Sequence, residues 1–420
     1  MGPQPPVLHQ PTPFIVPSSS PAPASRSLRS ALIGAAFLMA TSAVGPGFLT
    51  QTSVFTAELG ASFGFAILAS VVVDLVTQLN IWRVIVVSGR RAQDLGNAVF
   101  PGMGWLLAVL VGLGGLAFNI GNIAGTGLGM NALLGVPVKT GAVVSAVLSI
   151  GIFVVRDAGR AMDRFAQLMG FVMVALTLAV AVTAHPPLAG AIAGTFAPDQ
   201  LSALTVVTLV GGTVGGYITF AGAHRLLDAG VEGMDAQRQV TQASGLAIGV
   251  ASLMRVLLFL AVLGVVSHGL TLDPANPPAS VFQLALGQFG YRLFGVVMWA
   301  AAITSVVGAA YTSVSFLRTL HPWCDRHWNR LVIVFIAMST IMFLVIGRPV
   351  RTLIAVGALN ALVLPVGLGV MLVAAHRRSL MPAGYRHSRT LTIAGVLVAV
   401  TMAGMGVYAV VTALPKMWGG

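Results

Sequence analysis

The sequence predicts an all-α integral membrane protein, and three observations carry that prediction. The 420 residues are 56% hydrophobic and only 8% charged, with a mean hydropathy of +0.91. Apolar runs close to the roughly 20 residues that a bilayer requires recur along the whole chain. Two of those runs are interrupted by helix breakers, Gly45-Pro46-Gly47 and Gly211-Gly212-Thr213-Val214-Gly215-Gly216. Inside a bilayer every backbone polar group needs an internal partner, so segments of this kind span as helices.

The formal charge of +12 invites a nucleic-acid reading, but the basic residues are scattered singly between apolar runs. Such placement fits membrane topology better than phosphate binding, and no nucleic-acid partner is expected. The single cysteine, Cys324, excludes a disulfide framework or a multi-cysteine metal site.

Taken in order, residues 1–28 are rich in proline and serine and read as a disordered tail. Eleven spans follow, at about 31–57, 64–88, 103–132, 138–155, 161–184, 201–222, 243–267, 289–318, 329–347, 350–375 and 390–414. With the N-terminus inside, one set of loops and span ends collects Arg90, Arg91, Arg225, Arg238, Arg318, Arg326, Arg377, Arg378 and further arginines. The other set holds only Lys139, Arg292, Arg348, Arg351 and Lys416. That asymmetry places the N-terminus in the cytoplasm, and the absence of a targeting signal points to a bacterial inner membrane.

The breaks fall in spans 1 and 6, which run in opposite directions. Paired broken helices in two halves are the sequence mark of a secondary transporter's substrate site. The expected organisation is therefore a 5+5 inverted repeat, residues 29–185 and 186–378, with residues 379–420 carrying an accessory eleventh helix. Unwound backbone at Gly45, Pro46, Gly47 and Phe48 offers carbonyls to a cation, and a half-helix N-terminus favours an anionic group. A structural kink is the plainer alternative. Tyr217 and Thr219 follow the second break and are candidates for substrate contact or for packing.

Asp74 is the one carboxylate well inside an apolar run. Arg255 lies at similar depth in span 7, so the two are candidates for a buried ion pair or a coupling site. Asn119, Asn122 and Thr126 recur at helical spacing and form a polar stripe on span 3 that either lines a path or joins packed helices. Glu58 reads as a solvated boundary charge, His224 as interfacial, and Asp157 and Asp163 as partners of nearby arginines. The glycine-rich stretches at 112–115 and 125–129 lack the strand and lysine of a phosphate loop, so they read as close helix packing and no nucleotide is expected. No catalytic triad or metal-ligand spacing stands out, so the chain is not expected to be an enzyme or to hold a cofactor. Membrane lipid and a small ion or solute are the expected partners.

Several of these residues carry a resemblance. Ala117-Phe118-Asn119-Ile120-Gly121-Asn122-Ile123-Ala124-Gly125-Thr126, continuing to Asn131 and Gly135, resembles the third helix of the natural resistance-associated macrophage protein (NRAMP) metal transporters. Gln78, Arg83 and Ser88-Gly89 in span 2, and Leu359-Asn360 and Leu364-Pro365 in span 10, match at the right separations. The resemblance covers about residues 34–365 and implies a leucine-transporter-type fold and metal transport. It also marks departures. Where the family carries Asp-Pro-Gly-Asn in span 1, this chain has Gly45-Pro46-Gly47-Phe48. Where span 6 carries Met-Pro-His, the chain has Gly215-Gly216-Tyr217 within a residue or two, and the span 3 acids correspond to Asn119 and Asn122. The family's metal ligands are thus replaced. The expected function is movement of a metal cation, with a hard ion such as Mg²⁺ as the candidate, and proton coupling is not expected because asparagine carries no proton at neutral pH. A small organic solute such as an amino acid is the alternative, since glycines at both breaks leave room for it.

Overall fold

The computed structural model describes residues 43–413 except 156, 157 and 319, together with residues 32 and 415; at 158–167 and 413 only the backbone is described. The expected tail at 1–28, the first part of span 1, Asp157 and the Asp163 side chain lie outside those residues.

The described chain is helical. It runs α1 (Pro46–Leu59), α2 (Phe63–Ser88), α3 (Ala92–Val99), α4 (Met103–Leu134), α5 (Val138–Val154) and α6 (Ala158–Thr183). It continues through α7 (Leu188–Phe196), α8 (Ala203–Thr213), α9 (Ile218–Asp228), α10 (Gln237–Ser267) and α11 (Pro277–Arg318). The last elements are α12 (Pro322–Arg326), α13 (Trp328–Ile346), α14 (Pro349–Ala361), α15 (Val363–His376) and α16 (Arg389–Tyr408), the last followed by a π turn over Ala409–Ala413.

Among the described residues, eight helical segments are long and apolar enough to cross a membrane, or nine if α6 and α7, bent by 108°, form one span. The expectation was eleven. The difference lies in how helices are divided. Only a single 3-10 turn, Gly60–Ser62, separates α1 from α2, so Pro46–Ser88 forms one apolar segment where two spans were expected. Helix α5, at 17 residues, is shorter than the other spanning segments. Helix α11 begins a dozen residues before its expected span, with a kink at Gly287.

The outer face departs from the pattern of a soluble protein, while the largely apolar interior also holds polar side chains. Val345, Phe196 and Phe289 are 81%, 75% and 74% exposed, as side chains facing lipid tails are. Inside, Gln51, Asp74, Asn119, Asn122, Arg255 and Asn360 are buried. Without a hydrophobic drive between helices in lipid, close backbone contact holds the bundle. Helices α4 and α11 show it: a methyl group on Gly129 would fall 2.6 Å from the Trp299 backbone nitrogen. That is the packing role expected of the glycines at 125–129.

Candidate functional site

Helix α1 starts at the first break. Gly45 is its N-cap, Pro46 occupies the first turn, and no side chain caps the helix. The first helical bond runs from the Leu49 N–H to the Gly45 carbonyl at 3.2 Å, so the N–H groups of Gly47 and Phe48 precede it. From Pro46 to Ser53 the helix is buried, Phe48 included. Span 3 leans directly on this break, because a methyl at Gly125 of α4 would lie 2.2 Å from the Pro46 ring.

The second break separates α8 from α9 over Val214–Tyr217. Gly216 has φ +58°, a left-handed conformation that glycine adopts without penalty. Its N–H donates to the Asn360 carbonyl at 3.3 Å, which fastens the break to the end of α14. Helices α8 and α14 touch through backbone: a methyl at Gly211 would meet the Gly357 carbonyl oxygen at 1.8 Å. Gly215 and Gly216 are therefore spacers for close helix approach as well as break residues.

Two amides bracket this second break, and sequence reasoning assigned neither to the site. Gln51 of α1 donates through Nε2 to the Leu353 carbonyl at 2.9 Å, and its Oε1 lies where a methyl on Gly212 would fall, 2.6 Å away. Asn360 donates through Nδ2 to the Val356 carbonyl at 3.0 Å, and its Oδ1 faces Gly114 and Gly216. The two donated bonds fix both amide orientations, leaving Oε1 and Oδ1 without a hydrogen-bond partner among the described residues. The sequence signals were an amide in the middle of an apolar run and, for Asn360, the span 10 resemblance.

The other expected site residues divide. Asn122 is 1% exposed, and neither its oxygen nor its nitrogen has a partner among the described residues. It stands one turn before Gly125, on the side of α4 that meets the first break. Asn119 instead donates to the Ser339 hydroxyl of α13 at 3.1 Å, the helix-joining role. Thr126 turns back to its own helix, donating to the Ile123 carbonyl at 2.8 Å. Among the described residues the stripe thus leaves Asn122 with both amide atoms unpartnered and Asn119 with its Oδ1 alone. Tyr217 is buried with its ring edge-on to Phe118 at 5.5 Å. The Thr219 carbonyl accepts from the Trp82 indole at 2.8 Å, while its hydroxyl has no partner among the described residues.

Asp74 and Arg255 form an ion pair with both side chains 1% exposed. Thr213, the last residue before the second break, places its hydroxyl 3.3 Å from Asp74 Oδ2. His224 corrects the sequence expectation. It is buried, and its Nε2 accepts the Ala92 N–H at 3.2 Å, so it is a packed neutral residue rather than an interfacial one. Glu58 is exposed at the end of α1, as expected.

An unpartnered buried amide costs roughly 1–3 kcal/mol, so several around two helix breaks mark a place that takes a solute or water. Among the described residues no cluster of three or more His, Cys, Asp or Glu is arranged to hold a metal. The oxygens available near the breaks are neutral: Gln51 Oε1, Asn360 Oδ1, Asn122 Oδ1, Thr219 Oγ1 and backbone carbonyls.

Two broken helices meeting inside a lipid-facing helical bundle define a membrane transporter rather than an enzyme. The chain belongs to the natural resistance-associated macrophage protein-like (Nramp) family, whose sequence profile matches residues 36–412. It is 56% identical over 389 residues to an uncharacterized membrane protein, YcsG, of Bacillus subtilis, covering 93% of this chain and 96% of the relative. It is 25% identical over 356 residues to a divalent metal cation transporter, MntH, of Brucella suis, covering 76% of this chain and 77% of the relative. Its fold is similar to the crystal structure of a manganese transporter from Eremococcus coleocola, with a TM-score of 0.73 at 14% identity over 93% of this chain and 88% of that one. That fold is the leucine-transporter type.

Proposed function

We propose that this protein is a secondary transporter that moves a metal cation by alternating access, binding it between the breaks of spans 1 and 6. The observation that carries the reading is the pair of breaks itself: Pro46 against Gly125 and Gly216 against Asn360, inside a chain of this family. Gln51, Asn360 and Asn122 supply neutral oxygens, with Gly45 to Phe48, Gly215 to Tyr217 and Thr219 forming the surrounding backbone and walls. A donor set without carboxylate or thioether suits a hard ion that keeps part of its water, such as Mg²⁺, over a soft transition metal. Asn119 and Asn122 carry no proton, so movement along span 3 runs without proton coupling.

The proposed topology has a cytoplasmic N-terminus and a bacterial inner membrane as its location. Residues 29–185 and 186–378 form the inverted repeats. The arginine asymmetry supports this orientation.

A second reading keeps the fold and changes the substrate to a small organic solute such as an amino acid. One observation favours it: the N-terminal end of α1 presents the Gly47 and Phe48 N–H groups while nearby amide oxygens have no donor among the described residues, a pairing suited to a carboxylate beside an N–H donor.

Thermal unfolding of the purified protein against Mg²⁺, Mn²⁺, Ca²⁺ and neutral amino acids separates the two. A ligand bound only by the folded state stabilises it by about 2.7 kcal/mol at a hundredfold excess over Kd. A dose-dependent rise with one divalent ion supports metal transport, to be followed by uptake into liposomes. Rises with organic solutes alone support the second reading. Gly45→Trp and Gly215→Trp fill the breaks and abolish uptake in either case; wild-type uptake by both would remove the site from this position.

A further inference from the structure

A cavity of about 370 Å³ opens where the end of α2 meets the start of α10. It lies away from the helix breaks: Arg83, on its wall, is nine residues beyond Asp74, about 14 Å along α2. Its polar lining is Arg83, Asp235, Gln237, Arg238, Thr241 and Gln242. Arg83 is held in place, because its Nε donates to the Thr241 hydroxyl at 3.0 Å. That hydroxyl in turn donates to the Gln237 carbonyl at 2.8 Å. Among the described residues no hydrogen-bond partner takes the Nη groups of Arg83.

The ion pairs formed among the described residues are Arg91–Asp228, Arg255–Asp74 and Arg318–Asp325, so neither Arg83 nor Arg238 is neutralised by a carboxylate. Asp235 is the one acid on the wall, against two guanidinium groups. Gln237 opens the 31-residue helix α10, whose N-terminal end adds partial positive charge to the same concavity.

We propose that this cavity is an anion site for a phosphate group, either free phosphate or the headgroup of an anionic lipid. A guanidinium fork pairs with phosphate oxygens through two parallel N–H bonds, and an arginine pre-oriented through its Nε loses little freedom on binding. Occupancy would tie the end of α2 to the start of α10.

The test is thermal unfolding of the full-length protein in nanodiscs in two series. One titrates inorganic phosphate against chloride at matched ionic strength, in phosphatidylcholine. The other replaces phosphatidylcholine by phosphatidylglycerol without added phosphate. A saturable rise in Tm in either series is the expected result, and the series that gives it identifies the source of the phosphate. Arg83→Gln with Arg238→Gln removes the rise, and Thr241→Val, which unties Arg83, weakens the apparent affinity about tenfold. Should the double variant fail to fold, Arg238→Gln alone, at an exposed position, carries the test by weakening affinity about tenfold. The proposal is overturned by the absence of a saturable rise in both series, by an equal rise with chloride, or by a rise that survives the arginine substitutions.

Discussion

The Arg255 guanidinium of α10 rests against the Asp74 carboxylate of α2, and a second nitrogen, Nη1, donates to the Ser70 hydroxyl at 3.1 Å. Both side chains are buried, and each is the other's counter-ion. Removing one partner leaves an uncompensated charge inside the bundle. Asp74→Asn and Arg255→Gln are therefore each expected to cost about 3–5 kcal/mol, and the double substitution less than the sum. Denaturation of the four proteins in detergent gives the coupling energy directly. Additive losses would mean that the two side chains do not act as a pair.

Thr213 carries this pair to the second break. Its hydroxyl lies 2.8 Å from the Leu209 carbonyl and 3.3 Å from Asp74 Oδ2, immediately before Val214–Tyr217 unwinds. Thr213→Val removes the contact at nearly constant volume, while Thr213→Ser keeps it. Hydrogen exchange of peptides covering residues 209–218 is expected to quicken about tenfold in the valine variant and to stay at the wild-type rate in the serine variant. Equal exchange in all three proteins would show that the break is positioned by α14 alone.

Gln51 and Asn360 offer the clearest separation of stability from transport. Each spends its N–H on a backbone carbonyl and leaves a buried oxygen unpaired. Gln51→Leu and Asn360→Leu delete that unpaired acceptor together with the one donated bond, two effects of similar size and opposite sign, so thermal stability should change little. Uptake should fall by about tenfold or more, the loss expected when one oxygen that touches the solute is gone. Uptake at the wild-type rate in both variants would place the solute elsewhere.

Much of the fold was legible because membranes admit few solutions: apolar length fixes where helices lie, and Gly45-Pro46-Gly47 and Gly215-Gly216 fix where they break. The division into spans was less legible, since nothing in the composition of Leu59 to Phe63 distinguishes one 3-10 turn from a full loop. The site was legible only in part. Spacing puts Asn119, Asn122 and Thr126 on one side of a helix, yet it cannot say which finds a neighbour; Ser339 takes Asn119, and Thr126 turns to its own backbone. Gln51 was missed because its one signal, a lone amide inside an apolar run, does not say what that amide touches. Its role emerges from Gly212 and Gly357, which are remote in sequence and supply the space around its amide.

His387 sits in the connection between α15 and α16 and gives a prediction in pH. Its Nδ1 lies 2.7 Å from the Tyr385 hydroxyl, and its Nε2 lies 2.8 Å from Asn80 Oδ1 on α2. Asn80 Nδ2 already donates to the Val76 and Leu391 carbonyls, so Oδ1 accepts, Nε2 carries the proton and Nδ1 accepts from Tyr385. The ring is thus wholly used as a neutral imidazole. Burial, followed by the charges of His376 and Arg83, pushes its pKa down to about 4 from an ordinary 6.5. The unfolded chain binds a proton at higher pH than the folded one, so this group makes stability fall as pH drops from about 6.5 towards 4 and leaves it flat above that window. His387→Gln retains a donor and an acceptor without the titration. Between pH 7 and pH 4.5 the wild-type Tm should decline more steeply than that of the variant, the two profiles running parallel above pH 7. Parallel profiles throughout would mean that His387 keeps an ordinary pKa and that the α15–α16 connection is not clasped to α2 in solution.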